Sequence, residues 1–281
     1  MISGHTAVYG VIGHPVAHSL SPAMQNAAFA ALGIDALYVA LPVGPERIDD
    51  ALRGAHALGI AGLNVTVPHK QRAAAACVAL DRVAEEVGAA NTLRRTADGW
   101  EGFNTDAPAC ESLLQDAGAG RGARALLVGA GGAARAAAWA LLRMGAAVRI
   151  ASRRAEPALD LALAFGAVFP SAPRVQVVAW SDLGAEAEAA DVIVNATSVG
   201  LPGHEPRLGA VRPRAGQVAL DFVYGDTEFA RGALAAGARL VTGEALLVRQ
   251  GALAFTHWTG RPAPEAAMAA AVSRAAPRSG R

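Results

Sequence analysis

The sequence predicts an α/β protein of two domains, an N-terminal α/β domain with a mixed sheet and a second, doubly wound domain of parallel strands. Three observations carry that expectation. Short apolar runs alternate with alanine-rich helical runs along most of the chain, which calls for an α/β architecture with right-handed crossovers. Most of the apolar runs are continuous rather than alternating, as in strands buried on both faces. The length, 281 residues, exceeds what one small core usually holds.

The expected strands of the first domain are residues 7–12, 37–41 and 63–67, with helices over 22–32 and 46–58 between them. Ser21 ahead of Pro22 reads as an N-cap with proline at the first helical position. Residues 91–95 and 100–103 flank Ala97-Asp98-Gly99 and read as a hairpin, which would give the first sheet an antiparallel edge. Residues 106–118 are the next expected helix, and the domain junction falls near Asp106. Strands over 125–128, 148–151, 175–179, 191–195, 218–222 and 239–241 follow, with helices over 133–144 and 155–165. Gly33, Gly59, Gly145 and Gly166 stand where left-handed C-caps would end four helices.

Hydrophobic residues make up 53% of the chain and charged residues 17%, which excludes a disordered or polyelectrolyte chain. Twenty-five basic side chains nearly balance 24 acidic ones. No clustered basic excess marks a nucleic-acid partner. Only residues 274–281 are basic, and their Pro, Ser and Gly predict a disordered tail. No uncharged apolar stretch reaches the roughly 18 residues of a membrane-spanning helix. No basic region followed by an apolar segment opens the chain, so a cytoplasmic protein is expected. Cys77 and Cys110 make no disulfide framework, and no Cys/His cluster has zinc spacing.

Leu126-Leu127-Val128 runs into Gly129-Ala130-Gly131-Gly132-Ala133-Ala134, and a helix follows. Gly129 permits a tight turn, Gly131 lets the backbone meet a pyrophosphate, and the small Ala134 lets helix and strand pack closely. Free N–H groups at the helix start then face the anion. In its strand–turn–helix context this is a Rossmann-like dinucleotide fingerprint; the plain alternative is a tight turn in an Ala/Gly-rich chain. The next strand ends in Ser152-Arg153-Arg154, with no acid at its tip to hold a ribose 2′-hydroxyl. Two guanidiniums match a 2′-phosphate, which favours NADP over NAD.

Polar residues cluster at expected strand ends of the first domain: Ser19-Leu20-Ser21-Pro22, Asn64 to Lys70, Asn91-Thr92 and Asn104-Thr105-Asp106. Ligands of open α/β sheets sit at such ends. Asn64 and Thr66, two apart on one strand, would share a face. Taken singly, each has a structural reading. Ser21 is an N-cap, Asn104 and Asp106 are turn residues, and Lys70 is solvent-exposed. His14, His18 and His69 are satisfied polar side chains. The joint pattern is what points to a site.

On these stretches the chain resembles the shikimate dehydrogenase family, nearly end to end. The matching segments are Gly13 to Pro22, Asn64 to Lys70, Ala90-Asn91-Thr92, Asn104-Thr105-Asp106, Gly129 to Arg135, Asn195-Ala196-Thr197-Ser198 and Gly243 to Gln250. The resemblance implies reversible NADPH-dependent reduction of 3-dehydroshikimate to shikimate, a step of aromatic amino acid (chorismate) biosynthesis. It implies a substrate site of Ser19, Ser21, Asn64, Thr66, Lys70, Asn91, Asp106, Tyr224 and Gln250. The serines and Tyr224 would serve the carboxylate; Asn91, Asp106 and Gln250 would serve ring hydroxyls. Lys70 and Asp106 would be the catalytic pair. It implies an NADP(H) site of Gly129, Ala130, Gly131, Gly132, Ala133, Ser152, Arg153, Arg154, Ala196, Thr197, Ser198, Phe222 and Gly243. The last helix would return to the first domain, giving a substrate domain of 1–105 plus 244–281 and an NADP domain of 106–243. The expected partner is the small-molecule substrate, with no nucleic acid, no membrane and no metal, in a monomer or homodimer. Gln25, Ala107, Ser152-Arg153-Arg154 and Glu244-Ala245-Leu246 depart from the family's usual residues, and the proline often found after Tyr224 is missing.

The chemistry suits these residue types. As hydride reaches a carbonyl carbon, negative charge grows on the oxygen, and a Lys70 ammonium can donate a proton or hydrogen bond there. Asp106 would keep the lysine charged while accepting from a substrate hydroxyl. The nearest alternative is a quinate or aminoshikimate dehydrogenase using NAD or NADP; paired serines favour shikimate. A methylene-tetrahydrofolate dehydrogenase would need a Tyr/Lys pair that is not found near Lys70. A non-catalytic nucleotide-sensing module would need no ammonium–carboxylate pair.

Overall fold

The computed structural model describes residues 2–171, 175–200 and 208–276. By its contacts the chain divides into two units. One takes the residues up to Thr105 with the segment from Leu247 onward; the other is Asp106–Leu246.

In the first unit β1 (Ala7–Gly13), α1 (Ser21–Ala31), β2 (Ala36–Pro42), α2 (Ile48–Ala57) and β3 (Gly62–Val65) come first, and β1 pairs in parallel with both β2 and β3. Then come α3 (Lys70–Ala75), β4 (Ala79–Leu80), α4 (Arg82–Val87) and the hairpin β5 (Thr92–Arg95) and β6 (Trp100–Phe103). The strand order is β2-β1-β3-β5-β6-β4, with β5 antiparallel to β3 and β6, and β4 parallel to β6. The sheet is mixed, as expected, but the hairpin is not its edge. The outermost strand is β4, and two residues are too few for any periodicity to announce it.

The second unit runs α5 (Asp106–Asp116), β7 (Arg124–Val128), α6 (Gly132–Arg143), β8 (Ala147–Ala151), α7 (Ala155–Val168), β9 (Gln176–Val178) and α8 (Leu183–Ala189). It continues with β10 (Val192–Asn195), β11 (Val218–Asp221), α9 (Glu228–Ala235) and β12 (Arg239–Val241). Its sheet is parallel throughout, in the order β12-β11-β10-β7-β8-β9. The chain winds outward from β7 to β9, then returns to the other side of β7 with β10. The carboxyl ends of β7 and β10 therefore form the switch point where doubly wound sheets take ligands. Leu126, Leu127, Val128, Ile150, Ile193 and Leu220 are buried, which is why these runs are apolar without alternation. Ala134, Ala136, Ala137, Ala138 and Ala140 bury α6 through small side chains.

The chain then forms α10 (Gly243–Thr259) and α11 (Glu265–Ala275). From Leu247 on, these helices complete the first unit. The Trp258 indole fills the space a side chain at Gly62 would need, and it donates to Leu93 O at 2.9 Å. Three helix ends carry the expected positive-φ glycines, Gly33, Gly59 and Gly145. Gly166 does not; α7 runs through it to Val168, because Phe165 still faces the core. Arg274 and Ala275, read as the start of a disordered tail, are helical and Ala276 caps that helix, while 277–281 lie outside the described residues. No helix among the described residues is long and apolar enough to cross a membrane.

Candidate active site

In the first unit, buried amides and hydroxyls from distant stretches share one hydrogen-bonded network. Asn64, next to last on β3, donates through Nδ2 to Asn91 O (3.2 Å) and Thr92 Oγ1 (3.1 Å), and its Oδ1 accepts from the Tyr38 hydroxyl (2.7 Å). Asn91 Nδ2 donates to Thr105 Oγ1 at 3.0 Å and to Gln250 Oε1 at 3.4 Å, and Asn91 Oδ1 accepts from the Thr105 N–H at 2.7 Å. Gln250 Nε2 donates to Leu247 O at 2.8 Å. The Ser21 hydroxyl is bonded to the Tyr38 phenol, and Ser19 Oγ accepts from the Ser21 N–H at 3.2 Å. Each such group, left unpaired in the interior, would cost about 1–3 kcal/mol, so the network holds its members in place.

Ser21 is not an N-cap. Leu20 occupies that position without a side-chain bond, and Ser21 and Pro22 are already helical. Asn64 and Thr66 do not share a strand face, because β3 stops at Val65. Thr66 lies in the following turn, its N–H on Ile12 O at 2.8 Å and its carbonyl accepting from the His69 N–H at 3.0 Å. A side chain at Gly13 would collide with the Thr66 methyl. Lys70 opens α3 and is half-buried; its carbonyl accepts from the Ala90 N–H at 3.0 Å, which sets it one residue from Asn91. His69 is a satisfied buried histidine, 2.7 Å from Val43 O, whereas His14 and His18 are exposed. Asp106 is buried at the first position of α5, directly after Thr105.

In the second unit the turn after β7 meets the loop after β10. Gly129 has φ +118°, and a Cβ there would stand 2.7 Å from Ala196 O, so only glycine fits. Nothing lies within 4 Å of where a side chain on Gly131 would be, and this residue is the N-cap of α6. The N–H groups that follow, from Gly132 and Ala133, are the open end of that helix. At the tip of β8, Ser152 is half-buried and Arg153 and Arg154 are exposed. Asn195, the last residue of β10, donates to Asp221 Oδ1 at 2.9 Å and accepts at Oδ1 from Thr197 Oγ1 at 2.7 Å, which shapes the Ala196-Thr197-Ser198 loop. Asp221 also accepts from Thr227 Oγ1 (2.6 Å) and the Val223 N–H (3.0 Å), yet burial pushes its carboxyl up to about 6. The Phe222 N–H bonds Asn195 O at 3.0 Å. A Cβ at Gly243 would stand 2.6 Å from Tyr224 N, and Glu244 Oε1 accepts from the Gly225 N–H at 2.7 Å. The start of α10 is thus seated directly on the Val223–Gly225 backbone. This donor set fits a dinucleotide bearing an extra phosphate: an open helix end, a turn without side chains, exposed guanidiniums, and no acid at the tip of β8.

Residues 11–93 match the family model for the shikimate dehydrogenase substrate binding domain, 112–205 that for shikimate / quinate 5-dehydrogenase, and 243–272 that for the shikimate 5′-dehydrogenase C-terminal domain. The shikimate dehydrogenase (NADP(+)) of Anaeromyxobacter sp. (strain K) is 71% identical over 272 residues, covering 97% of this chain and 98% of the relative. The chain belongs to the shikimate dehydrogenase family. A crystal structure of a shikimate dehydrogenase in complex with NADP+ superposes with a TM-score of 0.88 at 34% identity, covering 99% of this chain and 98% of the other. The shikimate 5-dehydrogenase of Thermus thermophilus, in complex with NADP(H) and shikimate, gives 0.82 at 37% identity, covering 96% of this chain and 99% of the other.

Sequence reasoning missed Tyr38 and Asp221 as members of these networks. In this family member Tyr38 is the only hydroxyl-bearing residue of the apolar run 37–41, and Asp221 is the acid that ends the run Val218-Ala219-Leu220. Each is a polar group placed where the strand pattern demands an apolar one, and that was the signal to follow.

Proposed function

We propose that this chain is an NADP-dependent shikimate dehydrogenase, reversibly reducing 3-dehydroshikimate to shikimate in aromatic amino acid biosynthesis. The observation that carries the reading is the amide and hydroxyl network around Asn64 and Asn91, a surface built for a polyhydroxylated ring. The relatives support it: one is named for the NADP(+) enzyme, and the Thermus thermophilus structure holds NADP(H) and shikimate. The first unit is assigned to the substrate and the second to the dinucleotide. Its partners are small molecules, and it works in the cytoplasm as a monomer or homodimer.

The roles follow from the chemistry. Ser19 and Ser21 hold the substrate carboxylate; Asn91 and Gln250 serve ring hydroxyls, and Asn64 and Thr66 line the same pocket. NADP(H), when bound, would supply or take the hydride. Lys70 donates a proton to the carbonyl oxygen as charge develops, and takes it back in the oxidative direction. Asp106 accepts from the substrate hydroxyl adjacent to that carbonyl. Arg153 and Arg154 would hold the 2′-phosphate, while Gly129 to Ala133, Ser152, the loop Ala196 to Ser198, Phe222 and Gly243 would line the rest of the cofactor.

Initial rates at the reduced-nicotinamide absorbance band, with shikimate or quinate and NADP or NAD, test the reading. Shikimate with NADP is expected to give the highest kcat/KM, and no oxidation of shikimate would refute it. Lys70→Ala is expected to lower kcat by about 10²–10⁴-fold with the calorimetric Kd for NADP unchanged. Normal turnover in that variant would remove Lys70 from the mechanism.

A further inference from the structure

We propose that Tyr38 is a positioning residue: its hydroxyl anchors Oδ1 of Asn64, whose two N–H groups Asn91 and Thr92 already take, and so holds that oxygen as an acceptor for a substrate hydroxyl that donates. The inference rests on the reading above, in which Asn64 faces the substrate.

The orientation of the Asn64 amide follows from its neighbours. Asn91 O can only accept, so the atom 3.2 Å from it must be the Asn64 nitrogen. The second Asn64 N–H goes to Thr92 Oγ1 at 3.1 Å. Both donors are thereby consumed inside the protein. The remaining atom, Oδ1, has two lone pairs, and the Tyr38 hydroxyl takes one of them at 2.7 Å. What Asn64 has left to offer a ligand is one acceptor site. A ring hydroxyl satisfies it by donating; a carbonyl or ether oxygen in the same place meets another acceptor.

Tyr38 is built to hold that arrangement. Its side chain is 1% exposed. Asn26, on α1, clamps its backbone from both sides: the Tyr38 N–H donates to Asn26 Oδ1 at 2.9 Å, and Asn26 Nδ2 donates to Tyr38 O at 2.8 Å. The same Asn26 amide donates to Pro22 O at 2.8 Å, so the helix that carries Ser21 and the strand that carries Tyr38 are fixed together. Burial pushes the phenol well above its ordinary value, only partly offset by the Ser21 bond, so the hydroxyl keeps its proton and remains a donor. Tyr38 touches two candidate substrate residues, Ser21 and Asn64, from behind.

The test is a double-mutant cycle of Tyr38→Phe and Asn64→Ala in the full-length enzyme. Its readouts are the calorimetric Kd for shikimate, the kcat and KM for shikimate, and the Kd for NADP. Tyr38→Phe keeps the ring, and a thermal melt verifies that it folds. It is expected to raise the Kd and KM for shikimate about tenfold with the NADP Kd within about twofold, since an acceptor loses its fixed donor. The double variant is expected to bind shikimate no worse than Asn64→Ala alone, because Tyr38 acts through Asn64. Unchanged shikimate affinity in Tyr38→Phe overturns the inference, as do effects that simply add. If Asn64→Ala itself leaves shikimate affinity untouched, the placement of Asn64 in the substrate site fails first, and the inference falls with it.

Discussion

Asp221 shows what a buried carboxyl does at the residue scale. It is 1% exposed at the end of β11, and its partners are a hydroxyl, an amide and a backbone N–H. These hold the Asn195–Thr197 loop and the Val223 turn at once, but burial outweighs them and leaves the carboxyl at about 6. A folded value above the ordinary carboxylate value means the fold favours the protonated form. That contribution is complete below pH about 4 and is lost as pH rises through about 6, a swing of about 3 kcal/mol. Asp221→Asn keeps the shape and does not titrate. In urea unfolding of both proteins, the variant is expected to gain on the parent by about that amount between pH 4 and pH 7. A gap that stays constant across that range contradicts the assignment. The site residues were legible in the sequence where a motif clustered them, as with Asn64 to Lys70. Tyr38 and Asp221 were not, because each sits alone in an apolar run and declares itself only through what the fold puts next to it.

At the scale of elements, length and burial decided what the sequence could say. β7, β8, β10 and β11 are continuous apolar runs because both faces are covered, and they fell where expected within a residue. β4, α3 and α4 are two to six residues long, too short for a 2.0 or 3.6 period to register. Helix α7 outran its expected end because an exposed glycine inside a helix costs only about 1 kcal/mol, which a buried Phe165 can override. The tip of β8 makes the clearest element-level prediction. Arg153 and Arg154 are exposed, so replacing both by alanine is expected to leave the melting temperature nearly unchanged. The same double variant is expected to lower the preference for NADP over NAD by at least about tenfold in kcat/KM, since a guanidinium fork is worth most on a phosphate. An unchanged preference would mean that the 2′-phosphate is held elsewhere.

At the scale of the whole molecule, the chain ends by finishing what it began. No local pattern in residues 243–275 says which unit those helices complete; that is decided by long-range packing alone. Gly251, on α10, lies so close to α1 that a side chain there would collide with Met24, and its carbonyl accepts from Gln25 Nε2 at 3.0 Å. One turn on, the Phe255 ring is fully buried with its centroid 5.4 Å from that of Phe29. These contacts lie in the first unit. Phe255→Ala therefore removes a core ring from the first unit, at a cost of about 3–5 kcal/mol, and leaves the core of the second unit intact. The expected outcome is selective. Calorimetric affinity for NADP stays within about threefold, while the first unit melts at a lower temperature and shikimate binding is lost with it. Saturating shikimate, at about 100 times its Kd, should restore about 2.7 kcal/mol to the variant at temperatures where it still folds. If the variant instead loses NADP and shikimate binding together in one transition, the expected selectivity for the first unit is refuted.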